Sequence, residues 1–554
     1  MASQNVSSVF LDIQKHQISS VFDFFTKHSM ELSQFQLECA QISLKLWHEL
    51  NSTEFESKDY MAKDLRDNVT LNYLNKLYSI IITKFDAMMD ELNKNNGQGY
   101  ANKIRFICKL YFEMFSPKNH PFLNQDIIGK FNDTKELNLD NGYKNLIEDI
   151  KDQKGIFNIP NTKDYHFEIG KDIAITPGKV VYKNELIELI RYKSTTKQVY
   201  EIPLLIVPPW INKYYILDLQ AKNSFVKWLV DQGYVIYLIS WVNPDESYVD
   251  TTFDDYLNKS ILDCCKVIKT QEKVKTINAL GYCVGGTLLG CALAYLAKKK
   301  NKSIASATFL TSLLDFSIKG DMEVFTDEEH IKILESHMEK TGYLEGQVTM
   351  TTFNMLRAKD LVWRAHIDRY LNGNEVKPFD ILYWNSDGTN IPYKTHQFYL
   401  REFYLHNNLV KPNKIKLSGT ALDLGKVDIP SYFLAADKDH IVLWQAAYQS
   451  MLTLSGDKKF VLAGSGHVAG VINPPSKNKY SYKLSNKNQF PENPRDWLKH
   501  TSEHAGSWWV DYDKWLSKKS GKLKKVNSLS TTDEQMKAMI DAPGTYVRQK
   551  TVGV

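Results

Sequence analysis

The chain has 554 residues, 69 of them Lys or Arg and 64 Asp or Glu, for a net charge of +5, and 43% are hydrophobic. That length allows about two to four domains with a sizeable core, and the even charge balance offers no concentrated basic face for nucleic acid. Six cysteines without regular pairing argue against a disulfide scaffold or a metal site and for reduced cytoplasmic thiols.

In chain order, the N-terminal "MASQNVSSVFLDIQKHQ" lacks the basic, then apolar, then small-residue pattern of a secretory signal. Residues 1 to about 160 read as mostly helical. Within 69–93, Leu71, Leu74, Leu77, Ile80, Ile81, Phe85, Met88, Met89 and Leu92 recur at mixed three- and four-residue spacing, an amphipathic stripe. Its ordinary meaning is a helix in a bundle; its sharper meaning is a granule, membrane or partner surface. "SPKNHPFLNQ" (116–125) is a proline-punctuated loop. From 171 the pattern changes: "IAIT", a Pro177-Gly178 turn, "KVVY" and "LIELIRY" read as β-hairpins.

A strand–helix series follows. "IPLLIVPP" (202–209) and "YVIYLISW" (234–241) are apolar runs suited to strands buried on both faces. "AKNSFVKWLVDQG" (221–233) reads as a helix closed by Gly233, and 253–273 as another helix. "KTINALGYC", "IASATFLTSLLDF", "VDIPSYFLAADKDHIV" and "DKKFVLAGSGHVAG" supply further strands. Ile277–Ala297 is uncharged throughout and long enough to span a bilayer, but its interrupting glycines favour a strand, a turn and a buried helix. The expected class is α/β with a mainly parallel sheet. A helical N-terminal domain occupies 1–164, and a catalytic domain 165–554 carries a cap insertion at about 317–425, above the C-terminal strand ends. The basic stretch 519–530 reads as a surface segment.

The chemistry centres on "GYCVGG" (281–286). A G-x-C-x-G between an apolar strand and an apolar helix has the setting of a nucleophile elbow. Cys283 stands at the strained turn, where Gly281 and Gly285 leave room for the adjoining strand and helix. The helix N-terminus favours thiolate, and the Val284 amide is one donor for an oxyanion. In this fold an acid and then a histidine follow the nucleophile. Asp437 and Asp439 lie past one strand, with Asp439 favoured for its greater distance beyond it, and His467 lies past the next. Pro208 and Pro209 have no N–H, which leaves Trp210 or Ile211 as the second oxyanion donor.

Taken together, "SPKNHPFLNQ", "PPWINKYYILDL", "SWVNPD", "GYCVGG", "FDILYWNSDGTNIP", "DKDHIVLW", "GSGHVAGVINPP", "GSWW" and "APGTYV" give the chain its family likeness. From about residue 100 to the C-terminus it resembles the class I polyhydroxyalkanoate synthases of the α/β-hydrolase superfamily, which polymerise (R)-3-hydroxyacyl-CoA into polyester. The resemblance implies Cys283 as acyl acceptor, Asp439 and His467 as its catalytic partners, His440 as a contact for the CoA arm, and Asp218 in a supporting role. It also implies a homodimer in the cytoplasm at the granule surface, with the N-terminal region contacting granule, granule-associated proteins or the second copy. Short monomers such as 3-hydroxybutyryl-CoA are expected, with CoA as leaving group and no bound cofactor. Two rivals make different predictions: a cysteine hydrolase would release free hydroxy acid, and a granule-coating scaffold would not need Cys283.

Overall fold

A computed structural model of the protein describes residues 2–52, 69–97, 99–134, 139–151, 167–375, 379–485, 487, 489–526 and 539–550. The boundary expected at 164–165 and residues 527–530 of the basic stretch lie outside these.

The centre is a ten-stranded sheet. Its strands are β1 (Gly178–Lys183), β2 (Ile187–Tyr192), β3 (Leu204–Val207), β4 (Ile236–Trp241), β5 (Ile277–Tyr282), β6 (Ile304–Leu310), β7 (Ser431–Ala436), β8 (Lys458–Ala463), β9 (Ser481–Ser485) and β10 (Thr501–Ala505). The spatial order is β1-β2-β4-β3-β5-β6-β7-β8-β9-β10. Strands β4, β3, β5, β6, β7 and β8 run parallel, and antiparallel strands close both edges. Every residue of β3, β4, β5 and β7 is buried, because helices cover both faces of a parallel sheet. The uncharged run from Ile277 is thus a strand and a buried helix, and no described helix is long and apolar enough to cross a membrane.

The expected hairpins reduce to one, β1–β2. Residues 173–176 form no strand, because their polar groups are spent elsewhere: the Ala174 amide donates to the Asp218 carbonyl (2.8 Å), and Thr176 donates to the Asp218 carboxyl. The 253–273 helix is interrupted by a π-helical turn at Leu257–Leu262. Part of the basic stretch, Leu523–Lys525, pairs with Gln198–Tyr200 as a small antiparallel ladder. Beyond it the chain returns to β2, where the amides of Thr545 and Tyr546 donate to buried Glu188 (2.8 and 3.0 Å).

The N-terminal helices are α1 (Ala2–Lys27), α2 (Ser29–Ser52), α3 (Val69–Asn96) and α4 (Asn102–Met114). The α3 stripe takes its ordinary meaning: Phe85, Met89 and Leu92 are buried with Ile104 and Cys108 of α4. Phe35 of α2 meets Phe85 edge-on at 6.1 Å. Helix α1 joins the main core through Val6, Val9 and Ile13. Helices α1 and α2 leave a run of apolar residues in solvent, namely Leu11, Ile18, Phe22, Met30, Leu37, Leu44 and Trp47.

Candidate active site

Strand β5 ends at Tyr282, and helix α5 (Val284–Lys298) begins two residues later. Cys283 makes the turn between them with φ 54° and ψ −126°, a strained conformation for a residue with a β-carbon. Its amide donates to the Leu310 carbonyl of β6 (2.9 Å), which fixes the bend to the sheet. The glycines answer to contacts on both sides. A β-carbon at position 281 would come 2.4 Å from the α-carbon of Gly286, and one at 285 would come 2.2 Å from the Val207 carbonyl oxygen. Helix and strand therefore approach each other through the space that two missing side chains leave. The Val284 amide, first in α5, has no acceptor within the helix.

The loops after β7 and β8 bring Asp439 and His467 together. Asp439 Oδ2 lies 2.7 Å from His467 Nδ1. A carboxylate only accepts, so Nδ1 carries the proton and Nε2 is left to face the sulfur. Asp439 Oδ1 accepts from the amides of Ile441 and Val442, each at 2.9 Å, so both carboxylate oxygens are committed. Asp437, two residues earlier, is exposed. Burial alone would lower the His467 pKa; the Asp439 carboxylate, the Cys283 sulfur and hydrogen bonds to both outweigh it and raise the value to about 10. Tyr282 stacks against the imidazole at 5.7 Å.

Two cavities meet at Cys283. One, of 340 Å³, has a polar edge that includes Asn212, Arg357, Asn385, Lys438 and His440, together with His467. The other is narrow, 70 Å³, and mostly apolar. Ile211, Phe353 and Ile441 line both. In the wider cavity His440 Nδ1 accepts from Arg357 (3.4 Å). Burial holds its imidazole down at about 4, against the opposing pull of Asp439, so at neutral pH it is uncharged.

The remaining sequence-derived residues divide. Trp210 is in the core, its indole packed against Tyr256 (4.8 Å) and Trp241 (5.8 Å), whereas Ile211 lines both cavities and its carbonyl accepts from the Thr389 amide (2.9 Å). Asp218 lines neither. It is fully buried, accepts from Thr176 Oγ1 (2.5 Å) and Ser224 Oγ (2.7 Å), and is raised to about 6 by burial against those hydrogen bonds. It clamps the loop after β3 to the segment before β1. Sequence reasoning missed Phe353, Arg357, Tyr399 and Tyr404. They come from the cap interval, where helices and π-helical turns alternate and no short motif marks the residue that faces the sulfur.

Comparisons with known proteins show the family of the chain. The model of the poly-beta-hydroxybutyrate polymerase (PhaC) N-terminus matches residues 56–229, and that of the alpha/beta hydrolase fold matches 202–474. The poly(3-hydroxyalkanoate) polymerase subunit PhaC of Rhizobium etli is 38% identical over 90% of this chain and 77% of its own. This chain belongs to the poly(3-hydroxyalkanoate) polymerase family. The subunit from Cupriavidus necator is 40% identical over 81% of this chain and 76% of its own, and the polymerase of Methylorubrum extorquens 39% over 90% and 80%. The family is thus one of acyl-transferring polymerases on the α/β-hydrolase fold.

Proposed function

We propose that the protein polymerises short (R)-3-hydroxyacyl units from their CoA thioesters through a covalent thioester on Cys283, with His467 and Asp439 completing a triad. The observation that carries this reading is the convergence on one strained cysteine of a histidine, fixed by a buried carboxylate, and two largely apolar cavities, the wider of which also carries polar side chains.

His467 takes the Cys283 proton, and the thiolate attacks the thioester carbonyl carbon. The oxyanion is held by the amides of Val284 and Ile211. The bond to the CoA sulfur breaks, and the imidazolium returns its proton to that leaving thiolate. His467 then accepts the proton of an incoming 3-hydroxyl, whose oxygen attacks the acyl-cysteine and frees the Cys283 sulfur. Sulfur suits the first step because one thioester replaces another with little change in free energy. The chain stays activated until the hydroxyl draws it into a more stable oxoester; a serine would lose that driving force. Asp439, with both oxygens engaged, suits the role of orienting His467 and stabilising its charge better than that of activating the hydroxyl.

The polar-edged cavity suits the amides of the CoA arm, with His440 and Arg357 beside it. The narrow cavity suits monomers of about three to five carbons and keeps water from the acyl-enzyme. The exposed apolar residues of α1 and α2 suit contact with the polyester granule, its associated proteins or a second copy in a cytoplasmic homodimer. The test is incubation with (R)-3-hydroxybutyryl-CoA. Polymer plus free CoA, with an acyl adduct on Cys283 by intact mass and loss of both in Cys283→Ala, is the expected result. Free hydroxy acid would make the protein a hydrolase, and no turnover of the CoA thioester together with a cellular granule phenotype that survives Cys283→Ala would make it a scaffold.

A further inference from the structure

The wider cavity at Cys283 meets solvent at Lys438, the one exposed residue among those that line it. The Lys438 amide donates to the Ser465 carbonyl (3.0 Å), and Ser465 lines the cavity from the loop that carries His467. Past His467 the chain runs to β9 through "PPSKNKYS" (474–481). That segment folds back on the same loop. The Gly464 amide donates to the Ser481 carbonyl (2.8 Å), and a β-carbon at position 464 would stand 3.5 Å from that of Tyr480. A hydrogen bond with Ser465 lowers the Tyr480 phenol, and the charges of Lys479 and Lys477 lower it further against burial. Lys479 Nζ stands 4.8 Å from the centre of the Tyr480 ring. Through Ser465 and Tyr480, therefore, Lys438, Lys477 and Lys479 are gathered at one mouth.

Among the described residues none of the three ammonium groups pairs with a carboxylate. Asp437, beside Lys438, is itself exposed, and Asp439 is committed to His467 and two backbone amides. Ser465 and Tyr480 stand in left-handed backbone, φ 82° and 67°, a strain that residues with side chains keep where a function holds it. Like charges gathered without counter-charge repel one another and attract an anion, and lysine meets phosphate as a point charge. Three lysines are too few for a nucleic-acid face. An anion placed here gains from the cavity only if its other end reaches Cys283. An acyl-CoA has that build: a thioester at one end of the arm, and a diphosphate and a 3′-phosphate at the other.

We propose that Lys438, Lys477 and Lys479 form the docking site for the phosphates at the nucleotide end of the acyl-CoA, at the mouth of the wider cavity. The proposal rests on the polymerase reading above. The patch gathers the CoA thioester at the mouth and holds its far end while the arm reaches Cys283; it takes no part in the bond-making step.

The experiment compares two thioesters of the same acyl group: (R)-3-hydroxybutyryl-CoA, and (R)-3-hydroxybutyryl-pantetheine, which keeps the arm and lacks the phosphates. Thiol release gives kcat and KM for each. In the combined variant Lys438→Gln, Lys477→Gln, Lys479→Gln, KM for the CoA thioester should rise by about tenfold, the scale of three exposed charge contacts, with kcat within about twofold. The pantetheine thioester should be turned over as before. Added salt should erode the preference of the unaltered protein for CoA and leave that of the variant where it is. Lys298→Gln, Lys299→Gln and Lys300→Gln remove the same charge from the far end of α5, where all three are exposed, and should leave the preference intact. Should the change at Lys438 disturb Asp439 beside it, the pair Lys477→Gln, Lys479→Gln decides. An unchanged preference, an equal loss on both thioesters, or an equal loss in the α5 control would overturn the docking site. No turnover of either thioester by the unaltered protein would instead overturn the polymerase reading beneath it.

Discussion

One wall around Cys283 is made by the ends of parallel strands, the other by helices of the cap. On the strand side each group has a fixed address: the elbow after β5, the carboxylate after β7, the imidazole after β8. Backbone amides hold even the far oxygen of Asp439. On the cap side Phe353, Tyr399 and Tyr404 line the narrow cavity that reaches Cys283, Phe353 also lining the wider one, and what they set is the shape and wetness of the space around the sulfur. The contrast separates bond-making, which needs a few atoms within tenths of an ångström, from selection, which needs a volume. Substitutions on the strand side should therefore cost turnover, and substitutions on the cap side should change which acyl group and how much of it is accommodated.

The largest effect after loss of the sulfur itself belongs to Asp439. Asp439→Asn keeps the shape but removes the charge that favours the imidazolium and its Nδ1 proton. Polymerisation should fall by about two to three orders of magnitude. Asp437→Asn, at an exposed side chain two residues away, should stay within about twofold. The pH profile gives an independent reading. With His467 raised to about 10, the imidazolium that protonates the CoA thiolate is present below that value and lost above it. The alkaline limb of kcat/KM should lie near there. In Asp439→Asn it should move toward neutrality, because a cause of the raised value is gone. A limb that stays in place would show that the carboxylate does not govern the histidine.

The strand side also holds a purely steric constraint. Gly285→Ala would put a methyl 2.2 Å from the Val207 carbonyl oxygen and 2.7 Å from that of Pro208. Both are backbone atoms and neither can turn aside. Strand β3 or α5 must shift, at about 1–3 kcal/mol, and the shift passes directly into the Pro208–Ile211 loop. The melting temperature should drop by a few degrees and the acylation rate should drop with it, measured by calorimetry and single-turnover CoA release. An unaltered acylation rate in a destabilised variant would separate the elbow's packing from the oxyanion site.

The same contrast explains what could be read from the sequence. The G-x-C-x-G turn is legible because the close approach of β5 to α5 and of α5 to the end of β3 leaves no room for a β-carbon at either glycine. Asp439 and His467 are legible because a parallel sheet puts loop residues at strand ends in a fixed order. The parallel strands themselves show as unbroken apolar runs. The "IAIT" segment misled because its polar groups turn to Asp218, a partner 42 residues away that no local pattern announces. The cap misled by silence. Phe353, Tyr399 and Tyr404 sit among residues of the same helical spacing, and only packing decides which of them lines a cavity. Trp210 and Ile211 stand side by side in sequence, yet one enters the core and the other lines the site. The α3 stripe carries the same lesson: its period announced an amphipathic helix but not what covers it.

The smallest effect lies on the cap side, at Phe353, which lines both cavities. Its ring stands where the arm and the acyl group must part, so its size bears on selection more than on rate. Phe353→Leu should keep the triad intact and enlarge the narrow cavity by part of a ring. One added methylene in a hydrophobic pocket is worth about 10–200-fold in discrimination; a leucine in this place should recover only part of that. The proposed preference for short monomers should then relax by several-fold, seen as a change in the ratio of kcat/KM for 3-hydroxybutyryl-CoA to that for its longer homologues. Turnover of the four-carbon substrate should change less than that ratio. If the variant instead lost turnover equally for every chain length, Phe353 would belong with the strand-side groups that serve the bond-making step, and the division of labour around the sulfur would have to be redrawn.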